Sequence, residues 1–161
     1  EVFKCPGDKS FVTFKGKPVP RVRSISMSQS YGKNPKQGGA AGKWLPFTLF
    51  YTYLKESDMN IPGPSNLFVF LDEHEKTIDD SFFAIPVYAA NHWQNSASYW
   101  HNGGGTFGFA DGHSENKKWV HNKTKSPNRG YNFSPTPGGD RDLLWVKERI
   151  LIDPRKATIP H

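Results

Sequence analysis

The sequence predicts an α+β domain, rich in antiparallel sheet and in loops, with one helix near its C-terminal end. Three observations predict it. Fifteen Gly and 13 Pro in 161 residues interrupt long helices over most of the length. Hydrophobic content is only 35%, yet aromatics reach 14%, with twelve Phe, six Tyr and five Trp, so core volume comes from rings more than from Leu and Ile. Short β-favouring runs are separated by turn-rich segments, and only one run near the end has helical spacing. At 18.2 kDa the chain fits a single globular domain over residues 1–161, large enough to bury a core without staples.

The elements follow in order. Phe11-Val12-Thr13-Phe14 has strand-like alternation, and Arg21 to Ser30 reads as a polar segment. Residues 31–43 form a loop by composition, with four Gly and one Pro. Trp44 to Leu54 is apolar and aromatic and fits either a strand or a short helix. Ile61-Pro-Gly-Pro-Ser65 is a turn, and Asn66 to Leu71 after it is the clearest buried strand. A second apolar run spans Phe82 to Ala90. Thr106 to Ala110 is a further strand, with Asp111-Gly112 as the central pair of a type I′ hairpin and His113 to Val120 returning. Residues 121–139 are polar and rich in Pro and Gly. Asp140 to Leu151 is the helix, with apolar Leu143, Leu144, Val146, Ile150 and Leu151 and an acidic start suited to the helix dipole.

Net charge is +6 and the isoelectric point about 9.4, but the basic residues are scattered as pairs such as Lys117-Lys118 and Arg155-Lys156. No basic helix, zinc-finger spacing or aromatic RNA-binding signature accompanies them, so nucleic acid is not the expected partner. Cys5 stands alone, which excludes an internal disulfide and Cys-x-x-Cys motifs. No apolar run approaches the ~20 residues of a membrane span, and Glu1-Val-Phe-Lys-Cys-Pro6 lacks signal-peptide character. Any export or anchoring segment is therefore expected outside these residues, and a membrane contact only through it.

Three constellations can carry chemistry. His101, Asp111 and His113 bracket a glycine-rich stretch, and glycines 103–105 can fold His101 back on the Asp111-Gly112 turn. That gives a metal site, a His–Asp pair or a structural tie pinning the loop. Asp72, Glu73, Glu75, Asp79 and Asp80 follow the buried strand; Asp72, Glu73 and Asp79 suit calcium ligation, and a solvated acidic loop is the plain alternative. Trp93, Tyr99 and Trp100, interleaved with Asn91, His92, Gln94 and Asn95, fit a sugar-stacking platform or simply core packing. A thiol role for Cys5 lacks an activating base nearby in sequence.

Taken together, several pieces resemble one family in collinear order. Phe3-Lys-Cys5-Pro6-Gly-Asp8 is similar to a Cys-Pro-x-Asp element, and Val22-Arg23-Ser24-Ile-Ser-Met27 to an Arg-Ser-x-Ser-Met element. Phe70-Leu71-Asp72-Glu73-His74 with Ile78-Asp79-Asp80 resembles a mid-domain Asp-Glu element. His101 through Asp111-Gly112 matches a His-x9-Asp-Gly pattern, and Asp142-Leu143-Leu144-Trp145 an Asp-x-x-Trp element. These resemble bacterial pseudopilin-like proteins with prepilin-type processing, related to type II secretion pseudopilins. The resemblance implies a pseudopilin-head-like fold, an extracytoplasmic setting (periplasmic, cell-surface or secreted) and a structural or binding role among other pseudopilin or envelope proteins. It also implies calcium as the cofactor to look for, and no catalysis. The alternative is a carbohydrate-active domain, a β-glycan-binding module or glycoside hydrolase, pairing Asp72 or Glu73 with Asp111 and stacking polysaccharide on Trp93 or Trp100.

Overall fold

The computed structural model of the chain describes residues 3–32, 53–85, 93–126 and 140–150. The fold is α+β and mostly antiparallel. β1 (Phe11–Phe14) and β2 (Lys17–Pro20) form a two-stranded ribbon, while β3 (Ile25–Ser28), β4 (Phe68–Asp72), β5 (Phe82–Phe83), β6 (Gly104–Phe109) and β7 (Ser114–Lys118) form a five-stranded sheet. Its order is β5-β3-β4-β6-β7; only the short β3–β5 pairing is parallel. An α-helix, α1 (Arg141–Lys147), follows. No helix among the described residues is long and apolar enough to cross a membrane.

β3 lies inside the segment that composition marks as polar. In Ile25-Ser26-Met27-Ser28 the serines are buried and Ile and Met are half-buried, the reverse of the usual inward-apolar alternation. The inversion works because the buried edge of β3 meets hydrogen-bonding groups. Arg23 donates to the Ser26 hydroxyl at 3.0 Å, and the Ser28 hydroxyl accepts from Ser30 N–H at 3.4 Å. β4 pairs with β3 at Ile25↔Asp72 and with β6 at Leu71↔Phe107, which centres the strongest apolar run in the sheet.

The larger of two core clusters lies under one face of the sheet. Phe68, Leu71, Phe83, Ile85, Trp93, Phe107 and Trp119 pack against Leu143, Val146 and Ile150 from the α1 region. The rings meet edge to face, with Phe68–Phe107 at 5.2 Å and Trp93–Trp119 at 6.0 Å between centroids. α1 forms where the acidic start predicts. Asp140 Oδ1 caps it, accepting from Asp142 N–H at 2.9 Å and Leu143 N–H at 3.2 Å. The helix is shorter than the predicted span, ending at Lys147 with Ile150 buried beyond it. Most of the Trp44–Leu54 run, the end of the Phe82–Ala90 run and most of residues 121–139 lie outside the described residues.

The turns differ from expectation. The β6–β7 loop has three residues, with Phe109 N–H donating to His113 O at 2.9 Å and Gly112 N–H to Phe109 O at 3.0 Å. Only Gly112, at φ 92°, takes positive φ there. This is the three-residue connection with a glycine in the left-handed region, not a two-residue type I′ turn. The reversal with two positive-φ centres stands at the other end of β6. Asn102 (φ 53°) and Gly103 (φ 75°) lie between His101 and Gly104, which exchange backbone hydrogen bonds at 3.2 and 3.0 Å. Asn-Gly is the favoured pair for that geometry.

Candidate functional site

Three of the motif-bearing segments meet beside the sheet, at the C-terminal end of β4. Cys5-Pro6-Gly7-Asp8 is a tight turn, closed by Asp8 N–H donating to Cys5 O at 3.0 Å. Cys5 N–H donates to the Ser24 hydroxyl at 2.7 Å, and Gly7 N–H points at Cys5 Sγ at 3.3 Å. Asp72 ends β4, and His101 enters the Asn102-Gly103 reversal that starts β6. There His101 Nε2 lies 2.8 Å from Asp72 Oδ2 and 3.3 Å from Cys5 Sγ. Cys5 and Asp72 are buried; the His101 side chain is 34% exposed.

Burial raises the Asp72 carboxyl above its ordinary range; hydrogen bonding and charge from His101 oppose this, and the nearby Asp8 charge adds to it. The geometry is not that of a thiol–imidazole–carboxylate relay. Such a relay places nucleophile and carboxylate on opposite ring nitrogens, whereas here both approach Nε2. The arrangement can hold a proton, or a cation, between three ligand atoms. It has no second imidazole nitrogen engaged to pass charge along.

His101 is therefore not folded back on the Asp111-Gly112 turn. β6 runs between them as an extended strand, and Gly104 and Gly105 serve close packing instead. A Cβ at Gly104 would lie 2.5 Å from Lys117 O, and one at Gly105 would lie 3.1 Å from both Ser98 O and Trp119 Cζ2. Asp111 and His113 pair with each other at the exposed hairpin end, Oδ1 to Nδ1 at 2.5 Å, and the His113 ring stacks on Phe109 at 4.3 Å. Hydrogen bonding to His113 holds the Asp111 carboxyl below its ordinary range. Asp72 lies alongside Thr106 and Asp111 five positions further on, roughly 16 Å away along the strand at ~3.3 Å per residue. That exceeds the carboxylate spacing of a glycoside hydrolase, ~5–10 Å.

The acidic loop does not converge either. Asp72 and Glu73 are consecutive and face opposite sides. Glu73 is enclosed, accepting from Asn95 Nδ2 at 2.6 Å and Thr77 Oγ1 at 2.9 Å. Burial pushes its carboxyl up to about 8, with Ser26, Asn95 and Thr77 opposing. Asp79 and Asp80 are exposed and accept from the N–H groups of Asp80 and Phe82. A calcium ion needs several oxygens around one point, and Asp72, Glu73 and Asp79 do not provide them. Of the aromatic set, Trp93 is fully buried and donates from Nε1 to Asp140 Oδ2 at 2.7 Å. Tyr99 and Trp100 are half-buried, Tyr99 lying 5.2 Å from the His74 ring.

A second cluster, His121, Asp140 and Asp142, also brings ligand-type atoms together. Its carboxylates are already engaged. Asp140 caps α1 and takes Trp93 Nε1–H, and Asp142 accepts from Val120 N–H at 2.9 Å and His121 N–H at 3.0 Å. It is a tie between α1 and the end of β7. Sequence reasoning missed the Cys5–His101 contact because 96 residues separate the partners. The only sequence signal for it was that both sit in motif elements of one resemblance.

By fold and site, the chain is an α+β domain with a largely buried polar clasp of Cys, Asp and His at the end of its central strand. Comparison with protein-family models, curated proteins and solved structures finds no match to this chain.

Proposed function

We propose that the chain is the non-catalytic head of a pseudopilin-like protein, acting outside the cytoplasm in a type II secretion or pilus-like assembly. The observation that carries this reading is that the elements behind the resemblance are engaged with one another. Cys5 bonds Ser24 and meets His101, and His101 meets Asp72. Arg23 reaches the Asp80 carbonyl, and Asp142 holds the backbone just after Trp119. Residues so tied maintain a shape. A hydrolase would instead aim its carboxylates into an open groove.

The surface supports a role in contact with other envelope subunits. The β1–β2 ribbon exposes Phe11 and Phe14, each 61% accessible, with Phe3 and Val22 also exposed. Exposed rings on adjacent elements suit a protein partner.

The coding sequence upstream of Glu1 tests the reading. A prepilin leader followed by an apolar helix of ~20 residues is the expected result. An upstream catalytic domain would overturn it. So would turnover of a β-glycan by the purified domain, or its retention on one.

A further inference from the structure

The buried clasp carries more negative valence than its one imidazole can neutralise. Cys5 Sγ, Asp72 Oδ2 and His101 Nε2 all lie within 4.8 Å of one another. Asp8 stands three residues after Cys5 in the same turn and is buried at 3% exposure. One of its oxygens accepts from Ser10 N–H at 2.8 Å; the other, Oδ2, is buried without a hydrogen-bond partner. Asp8 also lies close enough to Asp72 for its charge to be felt there. Asp8 lies outside that 4.8 Å set, so its orphaned buried oxygen has to turn inward to join the other three; an unpartnered buried carboxylate oxygen in the same turn as the thiol calls for a cation.

We propose that Cys5, Asp8, Asp72 and His101 form a site for a zinc-class divalent cation, bound through one thiolate, one imidazole and two carboxylates. This goes beyond the head-domain reading and does not depend on it. The donor set selects the metal. Thiolate and imidazole together suit zinc or cobalt, whereas calcium takes oxygen ligands alone. Cys-x-x-Asp in a tight turn is the spacing that presents two ligands to one tetrahedral ion, and the Gly7 N–H at 3.3 Å from Sγ supports thiolate charge.

Tetrahedral zinc with ordinary bond lengths sets ligand edges at roughly 3.5 Å. The Sγ–Nε2 separation, 3.3 Å, is near that, while the Nε2–Oδ2 hydrogen bond, at 2.8 Å, would lengthen to admit the ion. Metal entry displaces the proton shared by Nε2 and Oδ2 and the thiol proton, releasing them to solvent, and His101 keeps its remaining proton on Nδ1. A pocket of about 600 Å³, lined by Cys5, Asp8, Phe11, Lys4 and Lys9 among others, opens on the Cys5–Asp8 side of the site.

Titration of the purified 161-residue chain with Co²⁺ tests this. The expected result is a near-ultraviolet thiolate-to-cobalt charge-transfer band with intense tetrahedral visible bands, both abolished by one equivalent of Zn²⁺. Cys5→Ser removes the charge-transfer band. Asp8→Asn retains an oxygen for the Ser10 N–H, melts at the same temperature without metal, and weakens Co²⁺ binding at least tenfold. No charge-transfer band at excess Co²⁺ overturns the proposal, as does a band that survives in Cys5→Ser. Unchanged affinity in Asp8→Asn removes Asp8 from the ligand set and with it the four-ligand site. Should Cys5→Ser fail to fold, the wild-type spectrum and the Asp8→Asn affinity still decide the matter. None of these outcomes bears on the upstream sequence, so the two proposals fail separately.

Discussion

Glu73 shows how one side chain sets a property of the whole domain. It sits one residue from Asp72 yet on the core side, where water cannot reach it. In the fold it keeps its proton up to about pH 8, whereas the unfolded chain releases it near the ordinary value of 4.5. Between those values the folded state binds more protons, so stability falls as pH rises. Glu73→Gln keeps an acceptor for Asn95 and Thr77 and removes the titration. Relative to wild type it should therefore gain stability between about pH 5 and pH 8, by up to ~4 kcal/mol. Urea denaturation of both proteins across that range measures it; a wild-type-to-variant difference that stays constant with pH would refute the burial account. The residue scale also explains why the clasp escaped sequence reading. Cys5 has no base near it in sequence, and its neighbour is supplied by a turn 96 residues further along the chain that the fold brings alongside.

Strand β6 and helix α1 show the same logic one level up. In β6 the glycines are not equivalent. A methyl group on Gly104 would press on the Lys117 carbonyl at 2.5 Å, while one on Gly108 meets nothing within 4 Å. Gly104→Ala should therefore cost about 2 kcal/mol or more and Gly108→Ala almost nothing, read as the shift in urea midpoint. Equal effects would mean that β6 and β7 approach each other differently from this geometry. At α1, Asp140→Ala removes the cap and leaves the buried Trp93 indole N–H without its acceptor. The expected loss is about 2–4 kcal/mol, the cap and the orphaned donor together. A loss under ~1 kcal/mol would show that the cap matters alone or not at all. α1 was legible from its apolar spacing and acidic start. β3 was not, because Ser26 and Ser28 take the buried positions that hydropathy patterns reserve for apolar residues.

For the whole molecule, the ribbon of β1 and β2 separates surface from support. Phe11→Ser with Phe14→Ser should leave the thermal midpoint nearly unchanged, since exposed substitutions typically cost under ~0.5 kcal/mol. On the proposed head-domain role, the same variant should lose retention on immobilised envelope subunits, measured by surface plasmon resonance; undiminished retention would place the contact elsewhere. The sequence by itself determined the fold class, the β4 and β6 strands, the helix start at Asp140 and the aromatic character of the core. All of these follow from local periodicity, turn chemistry and ring count, which act over a few residues. Only the tertiary structure decided which polar residues meet. His101-x9-Asp111 looked like one site because its ends are close in sequence, but a strand holds them far apart. Cys5, Asp72 and His101 look unrelated in sequence and stand together because sheet pairing and the 5–8 turn, which also carries Asp8, bring their segments to the end of β4. Contacts that long-range pairing creates leave no periodic trace in the chain, which is why the fold was readable and the site was not.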